Sequence, residues 1–486
     1  MGIHPSSPKI GTETGSFTAY VRWPSAPLTD SLVRNALSQL SPKPEIITSL
    51  PEVNKPARLL QWSTYDVLDH DITLFQKPGT KVLTCAYTIR KALIRKHFLS
   101  RSTQHYLAKN PNSVLQHGIP KTWEIELSFV DELDEMWSDE LYDLGAILEE
   151  GKTWMILKPA MASRGMGIRL FHTKEELEAI FLEFEDDEAE EAEENDAMQE
   201  LEDIGTGVAT SQLRHFVIQE YNSNPLLLDP AEVPLGGARK PPLTDLQGHK
   251  FHLRVYCVAQ GALHVYFYNR FLALFSATPY TSPFRLDSSE NPTDISAHLT
   301  NTSLQKERGE AGVRLFDELV GSHVLSRSGH TSMEPQRGVD EDAIFTEADA
   351  TDVKKQIGEL LEDSFRAALG MSVHFQPVPN AFELYGVDFL VSHVPVTSHA
   401  DSSRRFLLSL LEFNSEPAIE MTGPRLTWIL EDLFVGIAKT CVTPFFQADS
   451  KEATGAQWKV GETKENMTKC WETQVRGADG WNRGMV

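Results

Sequence analysis

Two neighbouring runs, residues 381–392 (AFELYGVDFLVS) and 405–414 (RFLLSLLEFN), have the apolar, β-branched and aromatic content of buried strands, yet they carry Asp388, Glu412 and Asn414. A polar turn, PVTSHADSSR, separates them, so they are expected to pair as a hairpin. Residues two apart on a strand share a face, which sends Glu412 and Asn414 one way and Phe413 the other. Pairing would bring Asp388 within one ladder spacing of both. Three hard oxygen donors suit a magnesium ion that completes its shell with water and phosphate, and carboxylates buried without a cation are costly. A solvated rim of strand-end polar residues would look the same, so the trio alone leaves both possibilities open.

With 486 residues, the chain is expected to hold two or three packed subdomains rather than one core. Its 41% hydrophobic and 23% charged residues are those of an ordinary globular protein. No apolar run approaches the ~20 residues needed to cross a bilayer, and the N-terminal residues lack the basic start and apolar stretch of a secretory signal. Cys85, Cys257, Cys441 and Cys470 show no metal-type or disulfide-type spacing, so a reducing, cytoplasmic location is the default expectation. The net charge of -24 is concentrated in one tract: residues 183–203 hold 13 Asp and Glu with no Lys or Arg, as a solvated, disordered insertion would. Neither the tract nor the net charge favours a phosphate backbone as the main ligand, since nucleic-acid affinity needs clustered Lys and Arg, so nucleic acid is not expected as a direct ligand.

Periodicity divides the chain into an N-terminal α/β subdomain (1–85), a central lobe (86–225) interrupted by the acidic insertion, a second lobe (226–445) and a polar C-terminal tail (446–486) that Trp458, Trp471 and Trp481 would anchor. Residues 88–109 read as a helix whose basic side chains, Lys91, Arg95, Lys96 and Arg101 among them, form a solvated face. Residues 251–260 and 262–269 form a second expected hairpin, and 351–369 an amphipathic helix.

Chemistry gathers at the ends of the strands. Lys158 closes the apolar run WMILK and precedes a loop containing Gly165 and Gly167, whose backbone amides could close over phosphates. Gln219, Glu220 and Tyr221 end the next strand, as a hinge offering backbone hydrogen bonds to an adenine edge would, or as a plain strand end would. Lys250, His252 and Arg254 alternate opposite Phe251, Leu253 and Val255, making a stripe whose two cations could neutralise a polyphosphate and a transferred phosphoryl group. Thr300 and Asn301 lie in a polar cluster to which spacing alone gives no role.

In order, Ile119-Pro-Lys-Thr, Leu157-Lys158-Pro with Gly165-Met-Gly167-Ile, Val217-Ile-Gln-Glu-Tyr, Gly248-His-Lys250-Phe-His-Leu-Arg254, His298-Leu-Thr-Asn301, Tyr385-Gly-Val-Asp388-Phe and Leu411-Glu412-Phe-Asn414 resemble the motifs of the tubulin-tyrosine ligase-like family. Seven motifs in the family's order over residues 119–414 are a specific match. The resemblance implies an α+β ATP-grasp fold, with antiparallel-rich sheets in two lobes and ATP between them. It implies that Lys158, Gly165, Gly167, Lys250, Asn301 and Asp388 contact ATP, that Gln219, Glu220 and Tyr221 hold its adenine, and that Asp388, Glu412 and Asn414 bind Mg2+. It further implies that Lys250, His252 and Arg254 line the reacting centre of a carboxylate–amine ligase acting on a protein or peptide, tubulin being the family's namesake.

Three departures fall mostly on the substrate side, Glu220 alone lying beside the nucleotide. His252 stands where the family's Lys-x-Asp-x-Arg pattern has Asp, Glu220 where it has Lys, and the hairpin end Tyr268-Asn269-Arg270 lacks the usual Gly and second Arg. These features resemble a fungal branch associated with processing bodies, which implies as alternatives an ATP-binding, ligation-deficient scaffold with mRNA-decay or decapping partners in the cytoplasm, or a small-molecule ATP-grasp ligase.

Overall fold

A computed structural model describes residues 16–51, 58–75, 79–160, 167–185, 215–283, 295–300, 310–326, 343–395, 404–447 and 458–475. Gly165, Asn301, Trp481 and all of the acidic tract beyond residue 185 lie outside the described residues.

The N-terminal unit is a parallel sheet of β1 (Thr18–Tyr20), β2 (Glu45–Ile47), β3 (Arg58–Gln61) and β4 (Lys81–Thr84), in the order β2–β1–β3–β4. Its helix Pro27–Ser38 buries Leu32, Val33, Ala36 and Leu37 on one stripe, as their spacing requires. The small lobe is an antiparallel sheet of β5 (Thr122–Glu126), β6 (Met155–Pro159), β7 (Arg169–Phe171) and β8 (His215–Glu220), in the order β5–β8–β6–β7.

The large sheet holds nine antiparallel strands: β9 (Leu227–Leu228), β10 (His249–Gln260), β11 (His264–Tyr268), β12 (Leu272–Phe275), β13 (Val313–Leu315), β14 (Phe382–His393), β15 (Phe406–Asn414), β16 (Thr463–Lys464) and β17 (Met467–Glu472). β10 is its spine. Nine of its twelve residues pair with β14, while along its length it also pairs with β12 and β11.

Alternation on β10 assigns its two faces different tasks. Phe251, Leu253, Val255 and Cys257 enter a core capped by the long helix Glu347–Leu369, through Ile357, Leu361 and Phe365. On the other face, Tyr256 and Val258 pack under the N-terminal unit and the helix Thr427–Ile437, where Trp62 stacks on Phe434 and meets Phe382 edge-on. The same face continues through Arg254, His252 and Lys250, beyond the reach of that cover. There the small lobe stands opposite and a cleft remains.

Two sequence expectations change. The helix expected over 88–109 is broken at Arg95, whose backbone is extended (φ -111°, ψ 120°), leaving a single turn, Lys91–Ile94, before a linker helix, Lys96–Lys109. The stretch expected as a polar tail instead supplies β16 and β17, and β17 joins the large sheet against β11 with Met467, Cys470 and Trp471 buried. Glu465 and Asn466, both left-handed (φ 49° and 57°), make the two-residue turn between them. A register shift opposite Val265 and Tyr266 breaks the alternation that would have revealed β17 in the sequence.

The linker is tied to the sheet by a buried ion pair. Arg90 bonds Glu383 of β14, which also accepts from the Tyr385 hydroxyl (2.7 Å) and the Tyr87 amide (3.1 Å), while the Arg90 guanidinium covers the Tyr65 ring at 3.9 Å. Burial pushes the Glu383 carboxyl up from its ordinary value, against the pull of Arg90. Replacing Glu383 with Ala would leave Arg90 buried without a counter-charge; urea denaturation of Glu383→Ala is expected to show a loss of about 3–5 kcal/mol.

Candidate active site

The cleft between the lobes holds about 950 Å³ of space free of protein atoms, part of it open to solvent. Ile156 and Ile168 line it from the small lobe, Leu390 and Leu411 from the large sheet, and His298, Leu299 and Thr300 from the segment between β12 and β13. Apolar walls ending in a polar floor are what a nucleotide needs, a flat ring at one end and an anion at the other.

That floor is set by strand register. Arg254 on β10 pairs with Asp388 on β14, which pairs with Glu412 on β15, so the three stand abreast on adjacent strands. Between Asp388 and Phe389 the register shifts: Phe389 pairs with Leu410, leaving Leu411 as the extra residue of a bulge. Leu411 and Glu412 therefore both line the cleft, while Phe413 turns into the core against Phe365 and Tyr385. Gly386, opposite Asn414, is required by this arrangement: a Cβ there would come within 2.7 Å of the Pro417 side chain and 3.1 Å of Arg254 Cδ.

Every member of the acidic group has a protein partner. Arg254 grips Asp388 with two parallel bonds (Nε–Oδ1 2.5 Å, Nη2–Oδ2 2.9 Å). Lys96 Nζ lies 3.1 Å from Glu412 Oε2. Asn414 Nδ2 donates to both carboxylates, at 3.3 Å each. Burial opposes the charge on Glu412, but Lys96 and then Lys158 more than offset it and hold the carboxyl down at about 2. Arg254 is likewise penalised by burial and raised above its ordinary value by Asp388.

Among the described residues, no group of three or more His, Cys, Asp and Glu is placed to hold a metal. A cation here would have two carboxylates and one amide oxygen, the latter after a half-turn of the Asn414 amide. That is too few donors for an all-protein cage and enough for an ion that shares its shell with phosphate oxygens, so the donor set fits Mg2+.

The cations opposite, half-buried Lys158 and buried Lys250, hydrogen-bond to neutral partners. Lys158 donates to Gln219 Oε1 at 2.7 Å, and Gln219 Nε2 donates to Thr122 Oγ1 at 3.0 Å. Lys250 is 7% exposed, donates to the Tyr221 hydroxyl at 3.0 Å and lies over its ring, and that hydroxyl also hydrogen-bonds His298 Nδ1 at 2.9 Å. Burial lowers Lys158 to about 8; burial and the Lys158 charge lower Lys250 to about 7. His252 is 2% exposed, with Nδ1 bonded to the Thr300 hydroxyl and Nε2 3.7 Å from Asp388 Oδ1 but without a hydrogen-bond partner among the described residues. Burial first, with Arg254 adding to it against Asp388, lowers its pKa, which makes it a neutral imidazole at pH 7.

The structure brings most of the residues singled out in the sequence together at one cleft. Lys158, Gln219, Glu220, Tyr221, Lys250, His252, Asp388 and Glu412 all line the cleft, with Arg254 and Asn414 bonded to Asp388 at its floor. Gly167 is left-handed (φ 68°), and a Cβ there would lie 2.8 Å from the Pro159 side chain, so only glycine fits at this position ahead of β7. The hinge differs in detail. The amides of Glu220 and Tyr221 are donated to Lys121 O and Trp154 O, so the first amide left for a ring edge is that of Asn222, and the Tyr221 side chain serves Lys250 instead. Tyr268, Asn269 and Arg270, the altered hairpin end, are held by Asp432 and Thr468 away from the cleft. Lys96 was missed because its helix read as solvated; a cation on the first residue of a helix, at the positive end of the dipole, was the available signal.

Two lobes of antiparallel sheet closing on a cationic, carboxylate-floored cleft define the ATP-grasp fold, which binds ATP at this place. The C-terminal domain of Kluyveromyces lactis Pby1, solved as an ATP-grasp enzyme interacting with the mRNA decapping enzyme Dcp2, superposes with a TM-score of 0.58 and 26% identity over 94% of this chain and 100% of that domain. Residues 85–450 match the Tubulin-tyrosine ligase family, and the chain belongs to that family. "Probable tubulin–tyrosine ligase PBY1" of Saccharomyces cerevisiae is 36% identical over 459 residues, and "Probable tubulin–tyrosine ligase C12B10.04" of Schizosaccharomyces pombe is 36% identical over 430. The alignments cover 91% and 84% of this chain, and 53% and 91% of those proteins, so the chain spans about half the length of the budding-yeast relative.

The depressed lysines link stability to pH. Unfolded, Lys250 keeps its proton to about 10.4, whereas in the fold it loses it near 7. Between those values the unfolded chain binds more protons, so stability rises with pH across the window. From pH 6.5 to 9, urea denaturation should show the wild type gaining at least about 1 kcal/mol more stability than Lys250→Met.

Proposed function

We propose that this chain binds ATP with Mg2+ in the cleft and uses it to ligate a carboxylate to an amine on a protein or peptide substrate. The observation that carries the proposal is the pair of lysines, Lys250 buried and Lys158 half-buried, one from each lobe, that face a single cleft with neutral hydrogen-bond partners and form no direct ion pair among the described residues. A cation held out of water by neutral partners is costly, most of all at Lys250, whereas Lys158 is partly offset by the Glu412 and Asp388 carboxylates. A polyphosphate laid between Lys158 and Lys250 would supply that charge and restore their protons.

Asp388, Glu412 and Asn414 would hold Mg2+, which when bound offsets the charge on the phosphates. Lys158 and Lys250 would bind phosphate oxygens, Asn222 and the strand end before it the adenine edge, and Arg254 a transferred phosphoryl group once Asp388 releases it. The apolar walls exclude water, which protects an acyl phosphate until the amine arrives. ATP's terminal phosphoryl group passes to the carboxylate, leaving ADP; the amine then forms the amide bond and phosphate leaves.

Neutral His252 cannot bind an ammonium as the family's Asp would, so the acceptor is proposed to differ from that of the namesake enzymes, tubulin included. The same substitution favours a second reading, in which the chain keeps nucleotide binding and serves as a cytoplasmic scaffold in mRNA decay and processing bodies, bound to a decapping protein as the Kluyveromyces lactis domain is to Dcp2. Among the described residues no helix is long and apolar enough to cross a membrane, in keeping with either reading.

Calorimetry of ATP binding with and without Mg2+ tests the site: Glu412→Gln is expected to lose the Mg2+-dependent part of the affinity, by about tenfold or more. Equal affinity in the two proteins would remove Glu412 from the site. Assaying ADP release over panels of carboxylate and amine acceptors then separates the two readings, since a scaffold turns over none of them.

A further inference from the structure

Among the described residues that line the cleft, Lys96 is the one that the linker helix supplies. It opens the helix Lys96–Lys109, directly after the extended Arg95, and reaches across to β15, where its ammonium meets Glu412 at 3.1 Å. The helix gains nothing from a cation at this position, since the dipole there is already positive. The anchoring of the linker by the Arg90–Glu383 pair fixes where Lys96 enters, six residues further along the chain. Its side chain is 20% exposed and lines the same cleft as Lys158 and Lys250.

The two carboxylates are held in different ways. Asp388 is gripped by a planar two-bond fork, whereas Glu412 is met by a single ammonium on a flexible stem. A fork is rigid and geometrically specific; an ammonium is a compact charge that moves easily between oxygen partners. Glu412 is thus the carboxylate from which a protein cation can depart at low cost.

We propose that Lys96 is a positioning residue that occupies the cation's place on Glu412 in the nucleotide-free state and moves to the phosphates when the metal–nucleotide enters. The proposal rests on the ATP and Mg2+ reading of the cleft. Lys96 keeps the half-buried carboxylate ionised and oriented before loading, and afterwards adds a further cation to the polyphosphate. Charge balance is kept in both states without rearrangement of the sheet.

The two halves of this role predict opposite signs in one variant. Lys96→Met keeps the stem and removes the charge. With the full chain, calorimetric titration of MgCl2 alone is expected to give about tenfold tighter Mg2+ binding in Lys96→Met, because the competing ammonium is gone. Titration of a non-hydrolysable ATP analogue in saturating Mg2+ is expected to give several-fold weaker binding in the same variant. Thermal melting checks that both proteins are folded, and Lys96→Gln, a polar neutral replacement, should repeat both shifts should Met disturb packing. Unchanged or weaker Mg2+ binding, or unchanged nucleotide binding, overturns the role of Lys96 while leaving the site reading intact. Failure of the wild type to bind the analogue at all overturns both.

Discussion

The nine-rung pairing of β10 with β14 is the constraint on which the rest of the molecule depends. Because side chains alternate strictly along a strand, fixing this register decides at once which residues of both strands enter the core beneath the long helix and which face the cleft. A slip of one residue would turn Lys250, His252, Arg254 and Asp388 into an apolar core and expose Phe251, Leu253 and Val255. The cost of that exchange is far greater than that of any single hydrogen bond, so the apolar face holds the polar one in place. The chemistry of the cleft is positioned by the hydrophobic packing on the reverse side of the same strands.

Charge in the cleft is arranged in two layers. At the floor, Asp388 and Glu412 are each matched by one protein cation, and Asn414 links them. Above it, among the described residues, Lys158 and Lys250 hydrogen-bond to amide and hydroxyl partners, and burial lowers both from their ordinary values, Lys250 further than Lys158. Such an upper layer is costly to maintain in a fold that binds nothing there. His252 belongs to neither layer. It is neutral, tied to Thr300 on one nitrogen, and replaces an acid with a group that neither attracts an ammonium nor repels a phosphate.

Strand alternation was legible in the sequence wherever it was unbroken. The shared face of Glu412 and Asn414, the stripe of Lys250, His252 and Arg254, and the approach of Asp388 to Glu412 all follow from period two and one hairpin. What escaped lies where a local rule is interrupted. The bulge at Leu411 turns two successive residues to one side, the shift opposite Tyr266 hid β17, and the break at Arg95 brought Lys96 out of an apparently solvated helix face. The side-chain role of Tyr221 could not be read either, since it depends on Lys250, which follows 29 residues later and meets it only in the folded state.

The pairing of β17 with β11 has a consequence for how the protein is made. Val265 and Trp471 face each other across that seam, with more than two hundred residues of chain between them. A ribosome adding about 5–20 residues per second therefore exposes β11 as a bare strand edge for ten seconds or more before its partner emerges. Bare edges recruit other strands. The last described strand of this chain thus acts as a seal on the large sheet, and premature termination ahead of Met467 would yield a nearly complete enzyme-like body with a permanently open edge.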